Sequence, residues 1–419
     1  MSDEQLPELS GLENEGLFNV LEAHRDLTDA KVQLESLLDA SDSLESLIRH
    51  LDHNDVVSPG HKNAIQVSFE NLITGTGMSI DDILPSLLAH EEGTVSTESL
   101  KDLAHELWKR IVSMVLTIIQ FVKNFWKSIS TYRGQLRISA EHVAKHGATR
   151  RFNSIKNPNV QLGIEIKSFI VGSATISDPD TAIRAVSAAL DQYKIVTSQY
   201  GPSMLELGKK FERLLASGDS GRELLVEICK VFDDSPVTSI ASKMRAMTYR
   251  DPRFGRRLVL AAPPIIGGWT MFFLTIEKEA RDGFESNPIN FAQALRTTGV
   301  KFALSNVNVS NAMSGLVKTA TGQQVEIIAK RVIEILDTID AQERAMAFTK
   351  IESQIKNVLR GGERFQNSLT GGDTFDQSTL RFVRSYATMA IGPVDQMTTN
   401  LLTVSRNLLT YARKSLHNQ

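Results

Sequence analysis

The segment from Thr97 to about Tyr132, which includes LKDLAHELWKRIVSMVLTIIQFVKNFWKSISTY, constrains this chain more than any other. Read as a helix, it places Leu103, Leu107, Trp108, Ile111, Val115, Ile118, Ile119, Val122, Phe125, Trp126 and Ile129 over most of its surface. A helix that is apolar nearly all round has to be enclosed from several sides, so the rest of the chain is expected to supply helical partners. Ser96 or Thr97 can cap its start by accepting hydrogen bonds from first-turn amides. Only 12 uncharged residues separate Arg110 from Lys123, short of the roughly 20 needed to span a bilayer. Lys109, Arg110, Lys123 and Lys127 flank the apolar centre, and Trp, Phe and Lys also suit a membrane interface. Burial inside a helical protein is the expected reading, and membrane contact through 99–130 is the alternative.

The remaining pattern is mainly α with a small β component. Residues 12–51 carry leucines and other aliphatics at spacings of three and four among Asp and Glu, which predicts one or two helices. A turn at His53–Gly60, a helix at about His61–Ile73 and a linker at Glu91–Thr94 follow. Ser177-Asp-Pro-Asp180 is a helix start with proline in the first turn. The helix after it is expected to run to about Tyr200 and to be interrupted at Gly201-Pro202, with further helices at Met204–Leu215 and Arg222–Phe232. Arg257–Ala261 and Trp269–Ile276 are rich in β-branched and aromatic residues around Pro263-Pro264 and Gly267-Gly268, which predicts a short strand pair near 257–276. The 19 uncharged residues from Leu258 to Ile276 are long enough to span a bilayer, but two prolines and two glycines argue against one continuous helix. A helix from Val325 to residue 360 is expected to stop at Gly361-Gly362, and a last helix at 379–415 to kink at Pro393. The expected organisation is an acidic helical segment at 1–95, the long apolar helix at 96–148, a mixed α+β unit at 150–305 and a long helical hairpin at 306–419.

Net charge is −3 over 419 residues, but it is unevenly placed. Residues 1–100 hold 20 Asp+Glu and 4 Lys+Arg, a net −16, whereas residues 101–419 hold 29 and 42, a net +13. Such asymmetry marks an acidic interaction segment or a nucleic-acid-facing body. The single cysteine, Cys229, excludes an internal disulfide and is expected in the core. The start MSDEQLPELSG has neither the basic nor the apolar part of a secretory signal.

Residues that carry chemistry do not converge. His142 and His146 share a helix face, but Val143 breaks the zinc-protease pattern. His50, His53 and His61 sit in a turn with Asp52 and Asp55, and read as solvated polar residues. Phosphate-loop, dinucleotide and nucleophile-elbow motifs are missing from the sequence. No enzymatic activity, cofactor, metal or small-molecule substrate is therefore expected. The basic residues offer more. Arg150 and Arg151 form one cluster with Lys156; Arg245, Arg250, Arg253, Arg256 and Arg257 form another, interleaved with Tyr249 and Phe254. They are candidate contacts to nucleic acid, by phosphate pairing and base stacking, against the alternative of a solvated basic face.

Four segments in order carry a family resemblance: the acidic LESLLDASDSLESLI, the aromatic-lysine helix LWKRIVSMVLTIIQFVKNFWKSI, RRLVLAAPPIIGGWTMFFL, and the closing LLTVSRNLLTYARKSL. In this order and spacing, over about residues 12–417, the chain resembles the internal head proteins of large contractile-tailed bacteriophages. The resemblance implies a virion component of the capsid interior, made in the host cytoplasm. Its partners would be other capsid or internal head proteins, and it would pack beside non-specific DNA and be ejected with it. It also implies processing by a prohead protease that cuts after a small residue, any residue and Glu. Candidate cuts follow Glu45, Glu70, Glu98 and Glu141, in Ser43-Leu-Glu45, Ser68-Phe-Glu70, Ser96-Thr-Glu98 and Ser139-Ala-Glu141. The alternatives are a membrane-active entry protein using the 99–130 helix and a host-directed effector with an active site in 150–300.

Overall fold

The computed structural model describes residues 11–52, 97–233, 236–250, 259–276, 281–295, 299–304, 315–345, 348–368 and 374–419. The helix expected at 61–73 lies outside them. Two long helices come first: α1 (Gly11–Asp52) and α2 (Thr97–Thr149). They run antiparallel: Gly16 packs against Tyr132 and Gln135, while the His24 ring lies 5.8 Å from Phe125. The end of α1 and the start of α2 therefore lie at the same end of the pair.

After β1 (Asn159–Leu162), a 3-10 turn (Ile164–Phe169) and the strands β2 (Ile170–Val171) and β3 (Ala174–Thr175) come three helices. These are α3 (Pro179–Ala216), α4 (Gly221–Asp233) and α5 (Pro236–Lys243). A meander follows, with β4 (Met247–Tyr249), β5 (Val259–Ala261), β6 (Trp269–Leu274), the helix α6 (Pro288–Leu295) and β7 (Gly299–Leu304). Then β8 (Gly315–Lys318) pairs back with β1, and the chain closes with α7 (Gly322–Ala345), α8 (Phe348–Ser368), α9 (Thr374–Ile391) and α10 (Val394–His417).

Local chemistry explains where several elements begin. Asp178 caps α3: its Oδ1 accepts a hydrogen bond from the Thr181 amide at 2.9 Å, with Pro179 in the first turn. That amide bond holds the Asp178 carboxyl below the usual range. The strand pair expected near 257–276 forms as β5 and β6, antiparallel, with Val259 opposite Leu274 and Ala261 opposite Phe272. It is the centre of a four-stranded antiparallel sheet, β4-β5-β6-β7. From Val259 on, the uncharged stretch is thus a hairpin whose strands contribute to two apolar clusters. Met271 and Phe273 join the main core, while Val259, Phe272 and Leu274 form a smaller cluster. Among the described residues no helix is long and apolar enough to cross a membrane.

Four helix boundaries differ from expectation. Gly201-Pro202 does not interrupt α3, which continues through Pro202. Proline costs one amide hydrogen bond, but tertiary contacts hold both sides: the Tyr200 hydroxyl donates to the Met389 carbonyl at 2.5 Å, and Met204 is fully buried. Gly361-Gly362 does not stop a helix either; both glycines lie inside α8. A side chain at 362 would come within 2.9 Å of Val383 and 3.4 Å of Trp108, so the glycine is there for close helix approach. Where one helix was expected over 325–360, the described elements are α7, ending at Ala345, and α8, beginning at Phe348. The kink expected at Pro393 is a break, because Gly392 adopts φ +59° and ends α9, and Pro393 precedes the first turn of α10.

One continuous apolar core runs from Leu17 to Leu416. Four buried tyrosines anchor polar tips within it. Tyr193 pairs with Thr398 at 2.9 Å, Tyr386 donates to the Met204 carbonyl at 3.0 Å, and Tyr411 donates to the Lys318 carbonyl at 2.5 Å. With Tyr200, all have phenol pKa values raised by burial.

Candidate functional site

The long helix α2 organises the candidate site, because it touches α1 on one side and α7, α9 and α10 on others. Trp108, Ile111, Val115, Ile118, Phe125, Ile129 and Tyr132 are all buried. Lys109 and Arg110 pair with Glu106 of the same helix, whereas Lys123, Arg133 and Arg137 reach carboxylates of neighbouring helices. Lys123 reaches Glu352 of α8 at 2.9 Å, and Lys356 shares that carboxylate at 2.6 Å. Arg133 grips Asp340 at 2.5 Å and Glu343 at 2.7 Å on α7, and Arg137 pairs with Asp337 one turn away. The Arg384 guanidinium lies 5.4 Å from the Trp108 ring centre, in cation–π position. The expectation of a helix buried by partners is met. Membrane contact through 99–130 requires these contacts to be broken first.

The four candidate cleavage points occupy unlike settings. Glu98 is the second residue of α2, in a first turn preceded directly by residues 53–96. Terminal turns open at little cost. Glu45 lies inside α1, two turns before its end. Glu141 is exposed, but it sits mid-helix next to buried Ser139, Ala140 and Val143, and the Ser139 hydroxyl accepts a hydrogen bond from Arg413. Reaching that bond means unwinding packed helix. Glu70 lies outside the described residues.

The arginine candidates also separate. Arg150 donates to the Leu416 carbonyl of α10 at 2.7 Å. Arg151 pairs with Glu326 of α7 at 2.5 Å, and Lys330 shares Glu326 at 2.7 Å. The Lys330 and Arg151 hydrogen bonds hold the Glu326 carboxyl below its usual range. Both arginines thus tie the end of α2 to the C-terminal helices. Arg250 is exposed just after β4, the edge strand of the four-stranded sheet. Arg253, Arg256, Arg257 and Phe254 lie outside the described residues. Tyr249 packs 5.4 Å from the Phe272 ring, so it belongs to the small core and not to a stacking surface.

His142 and His146 do share a face of α2, with Nε2 atoms 3.2 Å apart. Among the described residues no group of three or more His, Cys, Asp or Glu side chains is placed to hold a metal. The His50–His61 cluster falls outside the described side chains. Cys229 is buried, and burial pushes its thiol up to about 12.

One cluster was not foreseen. Asp395, in the first turn of α10, is 5% exposed and receives Lys31 of α1 at 2.9 Å, with His24 of α1 at 3.7 Å. Lys31 is one of three basic residues on an otherwise acidic helix, which was the available signal. Its partner lies more than 360 positions away, and periodicity cannot supply that.

Compared with known proteins, the chain matches the family model of phiKZ-like phage internal head proteins over residues 13–414. No curated protein and no solved structure matches it.

Proposed function

From the premise that this chain belongs to the phiKZ-like phage internal head proteins, we propose that it is a proteolytically matured component whose covalent division falls after Glu98. The family is a structural constituent of the phage capsid interior. The observation that carries the finer reading is the coincidence at Glu98. A Ser-Thr-Glu sequence, the step from net −16 to net +13 and the first turn of α2 fall together there. Glu141 fits less well, since it is embedded among buried residues of the same helix.

The two charges suit successive stages. An acidic front repels DNA while the head assembles, and a net-positive remainder is compatible with packed DNA as a non-specific neighbour. Other head components and the prohead protease are the partners of this scheme, and ejection with the genome into the host cytoplasm is its last stage. Mapping of termini in purified virions by mass spectrometry tests it. A body beginning at Ser99 is the expected result; chains continuing through Glu98-Ser99 in mature particles overturn it.

A further inference from the structure

The groove formed by α2 and the start of α10 holds α1 in the manner of a bound ligand. We infer that the acidic helix stays attached to the body, non-covalently, when the chain is cut between the two helices. This goes beyond the proposed cut after Glu98 and does not require the prohead protease. Because α1 and α2 are antiparallel with adjoining ends, a cut anywhere in 53–98 leaves in place the described contacts of α1 with the body. Val20, Leu27, Leu34, Leu37 and Leu44 stay buried along it. The Lys31–Asp395 pair adds a latch. Removing Lys31 leaves a carboxylate 5% exposed without its cation, which is strongly unfavourable.

The docking is nevertheless that of a separable helix. A solvent-open cleft of about 440 Å³ runs along one flank of α1, between Lys31, Leu34 and Leu38 on its side and Tyr200, Phe302 and Met389 on the body. α1 carries ten Asp+Glu against three Lys+Arg. Cutting alone therefore leaves much of the negative charge in place. Charge reversal is a second event, the departure of α1, which also uncovers the apolar side of α2.

The test inserts a recognition sequence for a site-specific protease between Gly93 and Thr94 of the full chain. The purified protein is cut and passed through gel filtration at low salt and at about 0.5 M salt, where exposed charge pairs are screened. Co-elution of the acidic fragment with the body at both salts is expected. A fragment that runs free at either salt, whether the body stays soluble or precipitates, overturns the inference. Lys31→Ala is expected to speed release of the fragment roughly tenfold or more, as loss of a buried pair implies. Arg25→Ala, at an exposed position paired with Glu22 of the same helix at 3.8 Å, is expected to leave the rate unchanged. Equal rates for the two variants overturn the latch.

Discussion

Helix α2 is covered by two long helices, α1 and α7, and the two contacts are built differently. The α7 side combines buried aliphatics with Arg133, Arg137 and Arg151, each paired to an α7 carboxylate. There Gly147 also lets the backbones meet: a side chain at 147 would lie 2.7 Å from the Glu326 amide nitrogen and 2.9 Å from the Gly322 carbonyl oxygen. The α1 side rests on an aliphatic stripe and one buried pair that belongs to α10, not α2. Its glycine, Gly16, comes closest to side-chain atoms of Gln135 and Tyr132. The α7 contact is thus tied by charge pairs and by close backbone approach, while the α1 contact rests on apolar packing.

The largest expected effect separates the two sides with substitutions of equal size. Leu336→Ala in α7 and Leu34→Ala in α1 each remove a side chain that is 0% and 1% exposed, respectively. Such losses cost about 2–5 kcal/mol at well-packed sites. Leu336→Ala is expected to lower the main thermal transition of the whole chain. Leu34→Ala should leave that transition in place and instead raise hydrogen exchange and protease sensitivity along α1. Equal loss of the main transition in both variants would erase the distinction between the helices.

The glycines give a second, smaller contrast. Gly147→Ala pushes a methyl group into the backbone of α7 and is expected to destabilise by about 1–3 kcal/mol, the cost of overpacking. Gly16→Ala meets the end of Gln135 and, at 2.9 Å, the fully buried Tyr132 ring; a gain in helix propensity of roughly 0.5–1 kcal/mol offsets part of that crowding, so a smaller loss than for Gly147→Ala is expected. Denaturant titrations of both variants, with unchanged slopes, provide the check.

How much of this was legible beforehand follows the range of the forces involved. The start of α3 at Asp178-Pro179, the burial of α2 and of Cys229, and the β5–β6 pair all rest on local spacing, and all were readable. Pro202 and Gly361-Gly362 were misread because local rules treat them as breakers, whereas Tyr200–Met389 and the approach of Val383 and Trp108 override those rules. The outer strands β4 and β7 were not expected: Met247–Tyr249 is too short to show alternation, and Gly299–Leu304 pairs with β6 across the α6 crossover. For the sites, the proposed cut after Glu98 rests on a motif beside a charge step. That Arg150 and Arg151 have partners inside the fold was not, because Leu416 and Glu326 lie more than 170 positions away.

Acid provides a third test, confined to the α7 side. The folded-state pKa of Glu326 is held below its ordinary 4.5 by Lys330 and Arg151. An acid whose pKa falls on folding contributes stability that is present above its unfolded value and is lost as pH drops through the folded one. Stability is therefore expected to decline as pH falls below 4.5. In Glu326→Gln part of that decline should be missing, with lower stability at neutral pH. A pH–stability curve identical to that of the parent chain would mean that the Arg151–Glu326 pair does not tie α2 to α7.

The smallest effect belongs to the α1 side and has a different pH window. His24 is largely enclosed between α1 and the body, facing Asp395, Lys31 and the Phe125 ring. Burial lowers its pKa below 6.5, Asp395 opposes that shift, and Lys31 adds to it. The docked helix therefore holds His24 neutral, whereas the undocked helix protonates it near 6.5. Proton uptake favours the undocked state as pH falls from 6.5 toward the lowered value; above 6.5 the two states bind protons alike and the effect vanishes. Hydrogen exchange along α1 should accelerate between neutral pH and mild acid beyond its intrinsic pH dependence, with the α7 amides unaffected. His24→Gln, which cannot protonate, should flatten that response. If the variant keeps the full response, the sensitivity lies elsewhere on α1, and Asp395 answers to Lys31 alone.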